Sequence, residues 1–315
     1  MKTVVLSRTT QAERLTLHEG VGQVAKWEMR QIQDQFSGCA GVSIFWQAWL
    51  PDEAPKATVV IAHGFGEHSD RYANVVDALV PRGYAIYAPD HRGHGRSGGH
   101  RALIDKHVYL LDDLDRVLTK AAEDHPGIAL FLLGHSMGGN IALASALANQ
   151  ARLAGLVLSG PAITTEGIPR PLQLIARLLG RIAPKLQTQK LSASGVSRDP
   201  AVVAAYVADP MVHHGGIPAG TARALIASSL SFPSRLPSLH IPLLVVHGSA
   251  DSLVSVESGR TALRLAGSRD KSLKIYEGLF HEVFNEPEHA TVLNDVVQWL
   301  DARCAQRSSD SAVEV

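Results

Sequence analysis

The chain has 315 residues, with 30 Lys+Arg balanced by 30 Asp+Glu, 45% hydrophobic residues and 2 cysteines. That length accommodates one large domain, or one domain with an insertion. Zero formal charge offers no basic footprint for phosphates, which argues against a nucleic-acid partner, and the apolar fraction excludes a mainly disordered chain.

Residues 1–32 are polar and mixed and read as an N-terminal extension, with Met29 a candidate natural start. Arg8, Glu13, Arg14 and Glu19 interrupt the apolar core that a secretory signal needs. No window reaches the roughly 18 apolar residues of a spanning helix. Cys39 and Cys304 read as reduced thiols, so the expected location is cytoplasmic, at most peripheral to a membrane.

Sheet pattern is recognisable from about Phe36. Strand-length apolar runs at 57–62, 84–88, 128–133, 156–158, 243–246 and 273–276 alternate with helical patterns at 71–81, 109–123, 140–149, 256–265 and 288–304. Because the runs are mostly apolar on both faces, they predict a mostly parallel central sheet flanked by helices, a doubly wound α/β fold. The alternation stops between 163 and 237, and this Leu-, Ala-, Pro- and Arg-rich stretch reads as a helical cap inserted at the carboxyl end of the sheet, where open α/β folds bind ligands. The core then has two parts, 33–162 and 238–304, with a C-terminal tail over 305–315.

Within the cap, Ile168, Leu172, Ile175, Leu179, Ile182 and Leu186 fall on one helical stripe flanked by Leu174 and Leu178, with Arg170, Gln173, Arg177 and Arg181 opposite. The stretch 163–237 holds eight Lys or Arg against three acids in a neutral chain. A basic, apolar cap suits peripheral contact with an anionic lipid or micelle surface.

The chemistry centres on Gly134-His135-Ser136-Met137-Gly138, placed after an apolar strand and before a helix, the context that a G-x-S-x-G nucleophile requires. A serine hydroxyl needs an imidazole as general base and a carboxylate to orient that imidazole. In this kind of fold the order is serine, acid, histidine, which selects Asp251, just past the 243–246 strand, and His281, just past the 273–276 strand. Asp270 and His289 are the competitors, both reading as surface residues, and His247 reads as a buried strand-end histidine. The developing oxyanion of acyl transfer needs preorganised donors, expected from the backbone N–H groups of Met137 and Phe65. The loop from Asp90 to Ser97 reads as a buttress for the oxyanion turn. Among the 15 histidines no H-E-x-x-H occurs, so neither metal nor cofactor is assigned.

Taken together, His63-Gly64-Phe65-Gly66-Glu67-His68-Ser69-Asp70-Arg71-Tyr72, Asp90 to Ser97, Gly134-His135-Ser136-Met137-Gly138-Gly139 and the cap run Ser197-Arg198-Asp199-Pro200 to Asp209-Pro210 resemble the monoacylglycerol lipases, bacterial type, of the serine α/β-hydrolases. The resemblance spans about Phe36 to Leu300 and implies hydrolysis of a monoacylglycerol to glycerol and a fatty acid, without cofactor, beneath a mobile cap. It also implies a small glycerol pocket with Glu67 and Arg71 around it and Tyr206 reaching in from the cap; on spacing alone, Glu67 and Arg71 are equally an i, i+4 ion pair. The same triad would serve a lysophospholipase, a thioesterase or a broad carboxylesterase. A non-catalytic receptor on this scaffold is disfavoured because all three triad members are present.

Overall fold

The computed structural model describes residues 29–313, with side chains to 305; most of the expected N-terminal extension lies outside the described residues. Eight strands form one sheet: β1 (Arg30–Ser37), β2 (Ser43–Leu50), β3 (Ala57–Ala62), β4 (Tyr84–Pro89), β5 (Ala129–His135), β6 (Gly155–Ser159), β7 (Leu243–Gly248) and β8 (Lys271–Tyr276). Their order is β1-β2-β4-β3-β5-β6-β7-β8. Only β2 runs against its neighbours, pairing antiparallel with β1 and β4, and every other pair is parallel.

The strands alternate strictly, because successive side chains leave opposite faces of a sheet. Val60, Ala62, Leu130 and Leu132 face one core, with α2 (His107–Asp124) and α3 (Met137–Ala148). Val59, Ile61, Phe131 and Leu133 face the other, with α1 (Ala73–Leu79) and α8 (His289–Val313). Coverage on both sides is what the continuous apolar runs require.

Two boundaries differ from expectation. The sheet starts at Arg30, inside the segment assigned to the extension, because β1 is an edge strand whose polar RQIQDQFS pattern carries little apolar signal. At the other end, α8 continues to Val313 through the expected tail.

The insertion after β6 holds α4 (Arg170–Ile182), α5 (Pro200–Ala208) and α6 (Ala219–Arg235), and α7 (Glu257–Leu265) follows β7. Helix α4 lies across α6 at Gly180, where a Cβ would stand 2.5 Å from the Ala219 carbonyl oxygen. Its outer face keeps Leu174 and Ile182 67% and 70% exposed. Among the described residues, no helix is long and apolar enough to cross a membrane.

Candidate active site

Ser136 sits between β5 and α3 with φ 53° and ψ −117°, a conformation that costs a non-glycine residue energy and persists only where surrounding contacts impose it. Its N–H donates to Ser159 O at 2.9 Å, and its carbonyl accepts from Ala162 N at 3.0 Å and Asn140 N at 3.2 Å. The flanking glycines are set by contact distance. A Cβ on Gly138 would stand 1.9 Å from Ala62 O, and one on Gly134 would stand 2.4 Å from Gly138 O. The bend carries Ser136 past the strand end to a cavity of about 600 Å³ lined also by Phe65, Met137 and His281.

The loops after β7 and β8 are tied together by Ser249 N to Tyr276 O at 2.9 Å and Ala250 N to Leu279 O at 3.0 Å. This brings Asp251 Oδ2 within 2.7 Å of His281 Nδ1. Oδ1 of Asp251 accepts from the N–H groups of Leu253 and Val254, both at 2.9 Å, and Oδ2 also accepts from His247 Nε2 at 3.1 Å. Burial would push this carboxyl up, but the bonds from His247 and His281 outweigh it and hold Asp251 well below the carboxylate range. Burial also disfavours an imidazolium at His281, yet the bond and charge of Asp251, with Glu282 and Glu67 further off, raise it above its ordinary value. The bond at Nδ1 fixes the tautomer and leaves Nε2 as the basic nitrogen. Beside it, burial holds His135, 4.6 Å away between ring centroids, neutral down to about pH 3.

Asp270 and His289 lie elsewhere, the first paired with Arg303 at 2.5 Å and the second bonded to Glu286 O at 2.7 Å.

Met137 opens α3, and the first N–H groups of a helix have no intrahelical acceptor and sit at the positive end of its dipole. Phe65 lies on the loop after β3, which several side chains hold in place. His63 accepts from His91 N and bonds Gly64 O, both at 2.8 Å. Asp90 receives Ser69 N at 2.8 Å, Ser69 Oγ at 2.6 Å and Arg96 N at 2.8 Å, which ties this segment to the chain just after the Phe65 loop. From the cap, His213 N donates to Gly66 O at 2.7 Å.

Glu67, Arg71 and Tyr206, expected around a glycerol pocket, come together at the Arg71 guanidinium, and none of the three lines the apolar cavity over Ser136. Glu67, 4% exposed, accepts from Gly64 N at 2.5 Å and Tyr72 Oη at 2.8 Å through Oε1, while Oε2 meets Arg71 Nε at 3.2 Å. Arg71 also bridges to Glu282 at 2.6 Å beneath the Tyr206 ring, 4.7 Å from the guanidinium. The Glu67 and Glu282 carboxylates are satisfied by Arg71 and by neighbouring N–H and O–H donors, because a buried ion pair must be satisfied where it sits. The i, i+4 ion pair is formed, and Glu67 holds the turn that carries Phe65 through the Gly64 N–H. Glu282 was not singled out in the sequence; adjacency to His281 was its only signal.

The cavity wall is mostly apolar. Helix α4 gives it Leu172, Ile175 and Leu179, and α6 gives Ala222, Leu225 and Ile226, so the two cap helices form its roof. The apolar stripe of α4 is thus divided between the cavity and the outer surface. Among the described residues, Glu166 is the only carboxylate on the wall.

A profile of the family described as serine aminopeptidase, S33, matches residues 53–288. A monoacylglycerol lipase of Mycolicibacterium smegmatis is 46% identical over 269 residues, 85% of this chain and 96% of that protein. The monoglyceride lipase of Homo sapiens is 34% identical over 276 residues, 86% of this chain and 91% of that protein. Among solved structures, a soluble variant of the monoglyceride lipase of Saccharomyces cerevisiae, in complex with a substrate analogue, superposes with a TM-score of 0.76 at 25% identity, over 93% of this chain and 96% of that one.

Proposed function

The chain belongs to the monoglyceride lipase family of serine α/β-hydrolases, and we propose that it cleaves monoacylglycerols to glycerol and free fatty acid through an acyl-enzyme on Ser136. The observation that carries this reading is the His281–Asp251 pair at 2.7 Å opening onto the same apolar cavity as Ser136. His281 Nε2 takes the proton as Ser136 Oγ attacks the ester carbonyl, and Asp251 stabilises the imidazolium that results. The N–H groups of Met137 and Phe65 receive the oxyanion. His281 then protonates the departing glycerol oxygen, and in the second half it activates the water that releases the fatty acid. The acyl chain lies against the α4 and α6 side chains of the roof, where its burial contributes about 0.8 kcal/mol per methylene.

Peripheral contact with a lipid surface is part of the proposal. Leu174, Leu178 and Ile182 project from α4 beside exposed Arg177 and Arg181, an apolar strip edged with cations. An aminopeptidase would instead need carboxylates for a substrate ammonium, and Glu166 alone answers that description.

The test is fatty-acid release from mono-, di- and triacylglycerols of one chain length, with the matching lysophosphatidylcholine, a short p-nitrophenyl ester and an aminoacyl p-nitroanilide alongside. The expected result is strong preference for the monoacylglycerol and none of these activities in Ser136→Ala. Equal or better turnover of the lysophospholipid or the short ester would move the protein to a broader esterase, and turnover of the anilide alone would overturn ester hydrolysis.

A further inference from the structure

Three of the four hydrogen bonds on the Asp251 carboxylate come from outside the triad, two from the backbone N–H groups of Leu253 and Val254 and one from a side chain. His247, on β7, has a fully buried side chain whose Nε2 lies 3.1 Å from Asp251 Oδ2, the oxygen that also receives His281. The same Nε2 lies 3.1 Å from Val254 O. A carbonyl oxygen can only accept, so Nε2 carries a proton and shares it between the carbonyl and the carboxylate. On the other side of the ring, Gly259 of α7 leaves room for Nδ1; a Cβ there would stand 3.1 Å from it. The ring is thus fixed by β7, by the Asp251–Val254 turn and by α7, and its N–H is aimed at the acid.

Two imidazoles therefore meet on one carboxylate oxygen, and only His281 reaches the cavity. We propose that His247 is a positioning residue for the reaction, holding Asp251 in the rotamer that meets His281 and drawing off part of the carboxylate charge that would otherwise rest on the His281 bond. The inference depends on the reading of His281 as general base. A hydrogen bond to the ionised form of a carboxylate lowers its proton affinity and weakens its pull on a neighbouring imidazolium. Too strong a pull would leave His281 protonated at neutral pH and unable to accept the serine proton.

The other groups facing His281 come from separate elements. The His135 ring at the end of β5 lies 4.6 Å away at a tilt of 50° and stays neutral through burial. Glu282 is its neighbour in the chain, and Glu67 acts from the oxyanion loop. Arg71 lies between these two carboxylates and offsets both. None of them touches Asp251 Oδ2, so the His247 bond can be removed without disturbing them.

The experiment compares His247→Leu and His247→Met, which remove the donor at similar volume, with His247→Gln, which returns an N–H at similar reach. Met, being unbranched, adapts to the site should Leu fail to fold. Turnover of a soluble short ester is followed from pH 5 to 10, with active sites counted by an alkyl fluorophosphonate. The Leu and Met variants should show the acid limb of kcat/KM moved up by about half to one pH unit, with activity per titrated site lowered about three- to tenfold at pH 7 and recovered near pH 9. KM should stay within about twofold of the parent, because His247 does not line the cavity, and Gln should bring the limb back.

A limb unmoved in both Leu and Met, a loss confined to the number of titratable sites, or a Gln variant that stays with Leu would each overturn the inference. Ser136→Ala distinguishes the two levels. If it still turns over, the nucleophile assignment fails and the inference with it. If it is inactive while the limb of the Leu and Met variants is unmoved, only the role of His247 fails.

Discussion

Glu67 accepts the backbone N–H of Gly64 at 2.5 Å, so the turn presenting Phe65 beside Ser136 is fixed by a buried carboxylate. The same side chain bonds Tyr72 and Arg71, and Arg71 carries the connection to Glu282, next to His281. The loop bearing Phe65 and the loop bearing His281 are thereby joined through one guanidinium, and in the proposed mechanism stabilisation of the oxyanion depends on donors held in place before charge develops.

Glu67→Gln should therefore lower kcat by about tenfold to a hundredfold with little change in KM, since the donors act on the transition state more than on bound substrate. Steady-state kinetics per titrated active site measures this. A kcat within about twofold of the parent would show that the turn holds without the carboxylate.

The pH dependence has a definite sign. His281 titrates above its ordinary value of 6.5, because its bond and attraction to Asp251 outweigh burial. The protonated ring cannot accept the Ser136 proton, so kcat/KM should fall as pH drops through a limb lying above pH 6.5. Asp251 is held well below the carboxylate range and adds no limb between pH 4 and 6 in the working range of about pH 4 to 9. A profile still flat at about pH 6 would contradict the arrangement.

Gly138→Ala and Gly127→Ala separate steric contact from backbone strain. At Gly138 the new Cβ would stand 1.9 Å from Ala62 O, whereas at Gly127, with φ +82°, nothing lies within 4 Å. The first should cost about 3 kcal/mol or more, the second about 1 kcal/mol. Thermal unfolding of the two variants reads the difference, and equal falls in Tm would remove the steric argument.

Leu174→Asp combined with Ile182→Asp should reduce co-sedimentation with anionic vesicles at least about tenfold, because two exposed apolar side chains leave the proposed lipid contact. Hydrolysis of a short soluble ester should stay within about twofold. Unchanged sedimentation, or equal binding of the parent to neutral vesicles, would count against the cap strip or against its cations.

The parallel sheet and the placement of Ser136, Asp251 and His281 at strand ends are legible in the order of amino acids alone. Continuous apolar runs, glycines around a serine and chain order are local signals, and the physics behind them acts within a few residues. Edge strand β1 escaped because half its surface faces water and its pattern is polar. The remaining features depend on tertiary contacts. Glu67, Arg71 and Tyr206 turned out to be partners of one another and of Glu282 because charged groups taken out of water must find their partners in three dimensions. The bond from His247 to Asp251 has i, i+4 spacing but crosses a loop, where no helical rule predicts contact. Helix α4 divides its apolar residues between the cavity roof and the surface, a choice made by its crossing with α6 and invisible to periodicity. Nearest-neighbour patterns record what a segment can become, whereas which groups meet across the fold is settled by packing and by the requirement that every buried charge be satisfied.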